Sequence, residues 1–206
     1  MRVGLLKAAG MKKLIPIACL ILIYTTVIAG DSAVSGERFA KAAQSTWSWL
    51  HSMDGTINAY LPDPNRSRFA DAMQKLHKLL GEAYSANRDL FINLNKDSWT
   101  EAETLRLQQD VTTLSQRINE IRHTVHEASA LVRDNAQARG GKCEEDLISA
   151  AGDLKSWAPQ LGDNGELLRN KEAREKFFAN GVGALRSLHA AELEAYYISR
   201  QLDRQR

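Results

Sequence analysis

Along most of this chain apolar residues return at alternating steps of four and three. No stretch of any length shows the period of two that a half-buried strand requires. The clearest run is Leu107, Val111, Leu114, Ile118, Ile121, Val125, Ala128 and Val132. It puts Val111, Ile118, Val125 and Val132 at one heptad position and Leu107, Leu114, Ile121 and Ala128 at the other, the seam of a helix packed against its neighbours. A second run, Phe69, Met73, Leu76, Leu80, Ala83, Asn87, Leu90 and Leu94, repeats the pattern, as does a third through Phe177, Gly181, Ala184, Leu188, Ala191, Ala195, Ile198 and Leu202. A looser run joins Phe39, Ala43, Thr46, Leu50, Met53, Ile57 and Tyr60, and a short one joins Cys143, Leu147, Ala150, Leu154 and Trp157.

Local chemistry sets the expected boundaries. Leu61-Pro62-Asp63-Pro64 stops the first helix, because proline disfavours helix at the residue before it. Asp63 is placed to cap the second helix with Pro64 in its first turn. Asn95-Lys96-Asp97-Ser98 is the next turn, and two overlapping pairs, Ser98 with Glu101 and Thr100 with Glu103, compete as the capping box. Gly140-Gly141 reads as the end of the third helix, Pro159 as the end of the fourth, and Gly162-Asp163-Asn164-Gly165 as a loop. The predicted helices span residues 33–60, 65–94, 99–138, 142–157 and 167–203. Short turns between heptad helices fold each one back on the last. The expected fold is therefore all-α: an up-and-down antiparallel helical bundle of four long helices plus one short helix, with the short fourth helix against one end.

The amino-terminus breaks this pattern. Arg2, Lys7, Lys12 and Lys13 precede the first acid, Asp31, and residues 14–29 are almost wholly apolar. A basic region, an apolar stretch and Val27-Ile28-Ala29 are the parts of a signal peptide, with cleavage expected between Ala29 and Gly30. From Met11 the chain reads MKKLIPIACL, a complete signal start in bacterial style, and Met11 is the expected start of translation. A spanning anchor needs about 20 apolar residues, more than this Pro16-containing run offers. Membrane attachment is expected only if the signal segment is retained. Cys19 is poorly placed for lipidation, with Pro16 at its −3 position. The expected organisation is a signal peptide over residues 1–29 and one helical-bundle domain over residues 30–206, exported to the periplasm or secreted.

Charge changes once that segment is removed. Four basic residues leave and no acid does, so 27 Lys+Arg become 23 against 25 Asp+Glu, and the net charge moves from +2 to −2. Such a chain has no basic field for neutralising phosphates, and no nucleic-acid partner is expected. Cys143 remains as a single thiol, so an internal disulfide has no second sulfur. The Asn65-Arg66-Ser67 sequon has meaning only in a eukaryotic secretory pathway.

Candidate chemistry is sparse. Glu120-Ile121-Arg122-His123 matches half of the Glu-x-x-His pattern of di-iron bundles, and His126 and Glu127 follow. With Ile121 and Val125 in the seam, Glu120, His123, His126 and Glu127 fall on the outer face, and no second Glu-x-x-His exists. A surface zinc ion on His123, His126 and Glu127 is the remaining metal arrangement. Haem would need axial ligands such as Met53, Met73, His77 or His189. The two Met lie on seams as core filler, His189 points outward, and no Cys-x-x-Cys-His is present. No hydrolase elbow, phosphate loop or dinucleotide fingerprint occurs. Cys143 sits on a seam beside Glu144, Glu145 and Asp146, which oppose thiolate formation. No enzyme, metal or cofactor is expected.

What remains is a surplus of aromatics. Trp47 and Trp49 are two residues apart and cannot share a helix face, and Tyr196 and Tyr197 lie off the small-residue seam of the last helix. These four form the candidate partner surface, since exposed aromatic patches mark interaction sites. The expected function is an exported bundle that binds another protein, as a chaperone, inhibitor or neutraliser does. The alternative is a periplasmic ligand-sensing or cofactor-binding four-helix bundle, with Asn87 and the neighbouring Met residues lining a cavity. A polar-lined cavity favours the second, a solid core with exposed Trp and Tyr the first.

Overall fold

Five long helices carry the described residues: α1 Glu37–His51, α2 Arg66–Leu94, α3 Glu101–Ser129, α4 Asp134–Trp157 and α5 Lys171–Asp203. The computed structural model describes residues 36–162 and 165–204. The signal segment and the Ala29–Gly30 cleavage position lie outside the described residues. Among the described residues there is no strand, and no helix is long and apolar enough to cross a membrane. The fold is all-α and built of packed helices, as the periodicity requires.

Every position on the predicted seams is buried except Tyr60, which is half-buried. The seams meet in one core whose largest fully buried side chains include Trp49, Phe39, Phe69 and Phe177. Removing such side chains from water contributes roughly 1.5–3 kcal/mol each.

The boundaries depart from expectation in three places. The first helix stops at His51, where the Ser52 hydroxyl donates to the Trp49 carbonyl at 2.7 Å, and Gly55 then turns the chain at φ 71°. A short helix, Ile57–Tyr60, resumes the seam. The third helix stops at Ser129, well before Gly140. Its end is fixed from outside: Arg133 N–H donates to the Tyr60 carbonyl at 3.0 Å, and the Asn65 amide donates to the Leu131 carbonyl at 2.8 Å. Those bonds satisfy backbone groups that a helix terminus leaves open. Asp134, at φ 56°, then starts a helix of 24 residues rather than a short one.

Gly140-Gly141 therefore lies inside α4 and ends nothing. Gly140 is there for closeness: a Cβ on it would stand 2.4 Å from Ser129 Cβ and 3.3 Å from Trp49 Nε1. Two neighbouring helices press on a residue that has no side chain.

Caps follow the sequence more closely. Thr100 and Glu103, rather than Ser98 and Glu101, form the capping box of α3: Glu103 N–H donates to the Thr100 hydroxyl oxygen at 3.3 Å and Thr100 N–H donates to the Glu103 carboxylate at 2.9 Å. The Lys96 ammonium, 2.7 Å away, and then the Thr100 donors hold the Glu103 carboxyl down to about 2. Asn170 caps α5 by accepting from Glu172 and Ala173 N–H. Pro64 lies in a 3-10 turn, Asp63–Asn65, ahead of α2, and Asp63 pairs with Arg66 instead of capping.

The packing order is a closed ring: α1 beside α5, α5 beside α2, α2 beside α3, α3 beside α4, and α4 beside α1. The fourth helix is thus a full stave between α1 and α3, not a plug at one end. Cross-helix bonds give the senses. Ser45–Asp146 and Arg38–Asp153 run α1 against α4, while Gln44–Ser187 and His51–Glu194 run α1 along α5.

Candidate functional site

α5 ends in the stripe Leu193, Tyr196, Tyr197, Arg200 and Arg204, which its inward seam, Ala191, Ala195, Ile198 and Leu202, turns away from the core. Tyr196 and Tyr197 are 41% and 56% exposed, and their rings meet edge-on with centroids 5.7 Å apart. Tyr196 leans toward His77 of α2 at 5.4 Å, and the Arg200 guanidinium lies 6.0 Å from its ring centre. Beside them is an open groove of about 680 Å³, walled by Tyr196, Tyr197, Arg200, Gln201 and Arg204 and by Asp54 from the turn after α1.

The tryptophans divide as their spacing demands. Trp49 is 1% exposed, and its indole N–H donates to the Ala136 carbonyl at 3.0 Å. It is a core residue and leaves the partner-surface set. Trp47 is half-buried and stacks on His51 at 5.1 Å. His51 Nδ1 shares a 2.8 Å hydrogen bond with Glu194, two to three residues ahead of the tyrosines. Trp47 thus sits on the flank of α1 that faces the tyrosine end of α5. Sequence reasoning missed His51, Asp54, Arg200 and Arg204. The spacing of Tyr196, Arg200 and Arg204, four residues apart on one face, was the available signal for the last two.

The other candidates have structural explanations. Glu120, His123, His126 and Glu127 are exposed on α3. His126 shares a 2.9 Å hydrogen bond with Glu144, and Glu127 lies 3.7 Å from Lys75. Among the described residues no group of three His, Cys, Asp or Glu side chains is arranged to hold a metal. His189 and His77 lie 3.3 and 3.9 Å from the Glu192 carboxylate, one on each oxygen. Met53 and Met73 are fully buried in the core.

Cys143 is buried against Thr46, whose hydroxyl oxygen is 3.3 Å from the sulfur. Burial first pushes the thiol up to about 12, and the Asp146 and Glu144 charges add to that against the opposing Thr46 hydrogen bond. A thiol in that state is no nucleophile near neutrality. Asp146 itself is held below the usual carboxylate range: burial raises it, but the Ser45 hydroxyl at 2.5 Å and the Lys41 ammonium at 2.9 Å outweigh burial. Asn87 is buried in its seam, and its amide nitrogen has no hydrogen-bond partner.

No family model matches the chain, and no curated protein or solved structure matches it either. The fold and the site define an all-α protein of packed helices with an exposed tyrosine–arginine end on its last helix.

Proposed function

We propose that this is an exported, up-and-down helical-bundle protein that binds another protein, acting as a chaperone, inhibitor or neutraliser rather than as an enzyme. In this reading the segment over residues 1–29 is a signal peptide, cleaved between Ala29 and Gly30, and the domain over residues 30–206 works in the periplasm or outside the cell. Alternating senses of chain in the α1–α4 and α1–α5 contacts support the up-and-down arrangement. One observation carries the binding reading: Tyr196 and Tyr197 are the only exposed aromatic residues among those described, the rest being buried or half-buried. Tyr and Arg together are the side chains that concentrate binding energy at protein interfaces.

The test is the double change Tyr196→Ala with Tyr197→Ala. Capture of a specific partner from the host's exported fraction should be lost while the melting temperature changes little. A marked drop in melting temperature, with capture unchanged per folded molecule, would remove the reading. Amino-terminal sequencing of exported protein should begin at Gly30. An intact chain held in the membrane would instead support the anchor.

The second reading, a ligand-sensing or cofactor-binding bundle, has one observation in its favour, the partnerless Asn87 amide.

A further inference from the structure

The tyrosine end of α5 carries charge as well as rings. Arg200 and Arg204 lie one turn apart on its outer face, about 6 Å in rise. Neither has a carboxylate partner among the described residues, whereas Arg38, Lys41, Lys75 and Lys96 each face an acid of the same chain. The groove wall holds Arg200 and Arg204 against Asp54, on a domain that is slightly acidic once residues 1–29 are set aside. Positive charge is therefore concentrated where the aromatic rings are exposed. Asp54 is the single acid in the groove wall.

We propose that the groove between Asp54 and the last turns of α5 binds an acidic protein segment, one that sets two carboxylates about a helical turn apart against Arg200 and Arg204 and an apolar side chain against Tyr196 and Tyr197. This rests on the protein-binding reading and names the partner's chemistry. The guanidinium is a planar fork suited to carboxylates, and a ring beside it excludes water from the pair. A second copy of the chain fits poorly, because a two-fold contact through this patch would bring both arginine pairs together with one Asp54 each. An anionic lipid surface fits less well than a protein segment, since such surfaces recruit clusters of about four to eight cations and here an acid faces two.

The test uses two peptides and the purified protein. One 12-residue peptide carries Glu at positions i and i+4 beside Leu and Trp, and the other replaces both Glu by Gln. Fluorescence anisotropy should show the Glu peptide binding at least roughly tenfold tighter, as expected when one or two charge-assisted bonds are lost. The double change Arg200→Gln with Arg204→Gln should abolish that preference and leave the melting temperature unchanged. Equal binding of the two peptides, or a preference that survives the arginine change, overturns the proposal. If the peptides bind equally but Tyr196→Ala with Tyr197→Ala releases both, the tyrosine surface stands and only the acidic preference falls. If neither peptide binds and vesicles rich in phosphatidylglycerol bind through the same arginines, the partner is a lipid surface and both readings fall. Dimerisation that the arginine change breaks would assign the patch to a second copy.

Discussion

Asn87 interrupts an otherwise apolar seam, and burial leaves its amide nitrogen without an acceptor. An unsatisfied buried donor costs about 1–3 kcal/mol, so a residue of similar size with no polar atom should do better. Asn87→Leu is expected to raise the urea midpoint by an amount worth ~1–2 kcal/mol. A fall instead would mean that a bound group supplies the missing acceptor, which would favour the ligand-sensing reading. Cys143 gives the second residue-scale expectation. Its thiol is pushed from 9.0 to about 12, so it stays neutral in the folded protein across the ordinary range. The unfolded thiol ionises first as pH climbs past 9.0; the stability due to keeping the thiol neutral is complete below that value and is lost as pH rises toward about 12. Iodoacetamide labelling of the native protein should therefore be flat between pH ~7 and ~9, while labelling in urea climbs steeply over the same interval. Native labelling that tracked pH as the unfolded chain does would show an accessible thiolate.

At the scale of the helix, the two glycines of α4 separate close packing from mere flexibility. Gly140 has Ser129 Cβ at 2.4 Å from where its own Cβ would be, whereas Gly141 has nothing within 4 Å. Gly140→Ala should destabilise by ~1–3 kcal/mol through overpacking. Gly141→Ala should stabilise by about 0.5–1 kcal/mol, because alanine loses less freedom in a helix. Thermal melts of the two variants check this, and equal shifts would mean that α4 does not press on α3 and α1 as described. The same pair shows what a sequence can and cannot disclose. The heptad seams were legible because burial depends on the period alone: Val132 is 3% exposed although α3 has already ended. The end of α3 was not legible. It depends on Arg133 and Leu131 meeting Tyr60 and Asn65, residues far away in the chain, and no local signal announces such bonds. Gly-Gly reads as a stop in the sequence because glycine both ends helices and lets them touch, and only the neighbours decide which.

For the whole molecule, the number of staves matters. In the proposed up-and-down arrangement a closed ring of five helices leaves one parallel pair, and the α1–α5 bonds run in that sense. Side-by-side parallel dipoles repel slightly, and the Gln44–Ser187 and His51–Glu194 bonds across that contact oppose the repulsion. The same parity brings the turn after α1 and the last turns of α5 to one end, which is why Asp54, Trp47 and the tyrosines share a flank. From sequence alone Tyr196 and Tyr197 could be placed off their seam, but the groove needed the ring order. α1 is the shortest stave, at 15 residues, and it alone joins α4 to α5 along the ring. Trp49 is its anchor, buried and bonded to the Ala136 carbonyl. Trp49→Ala should cost about 3–5 kcal/mol. Because losing α1 bares one side of both α4 and α5, the loss should appear as a lower midpoint of one cooperative transition, coincident by far-ultraviolet circular dichroism and by fluorescence of the remaining tryptophans. If α1 instead released on its own, the two signals would separate and hydrogen exchange would show α1 unprotected while α2 and α3 kept full protection, and the closed ring would not be the unit of stability.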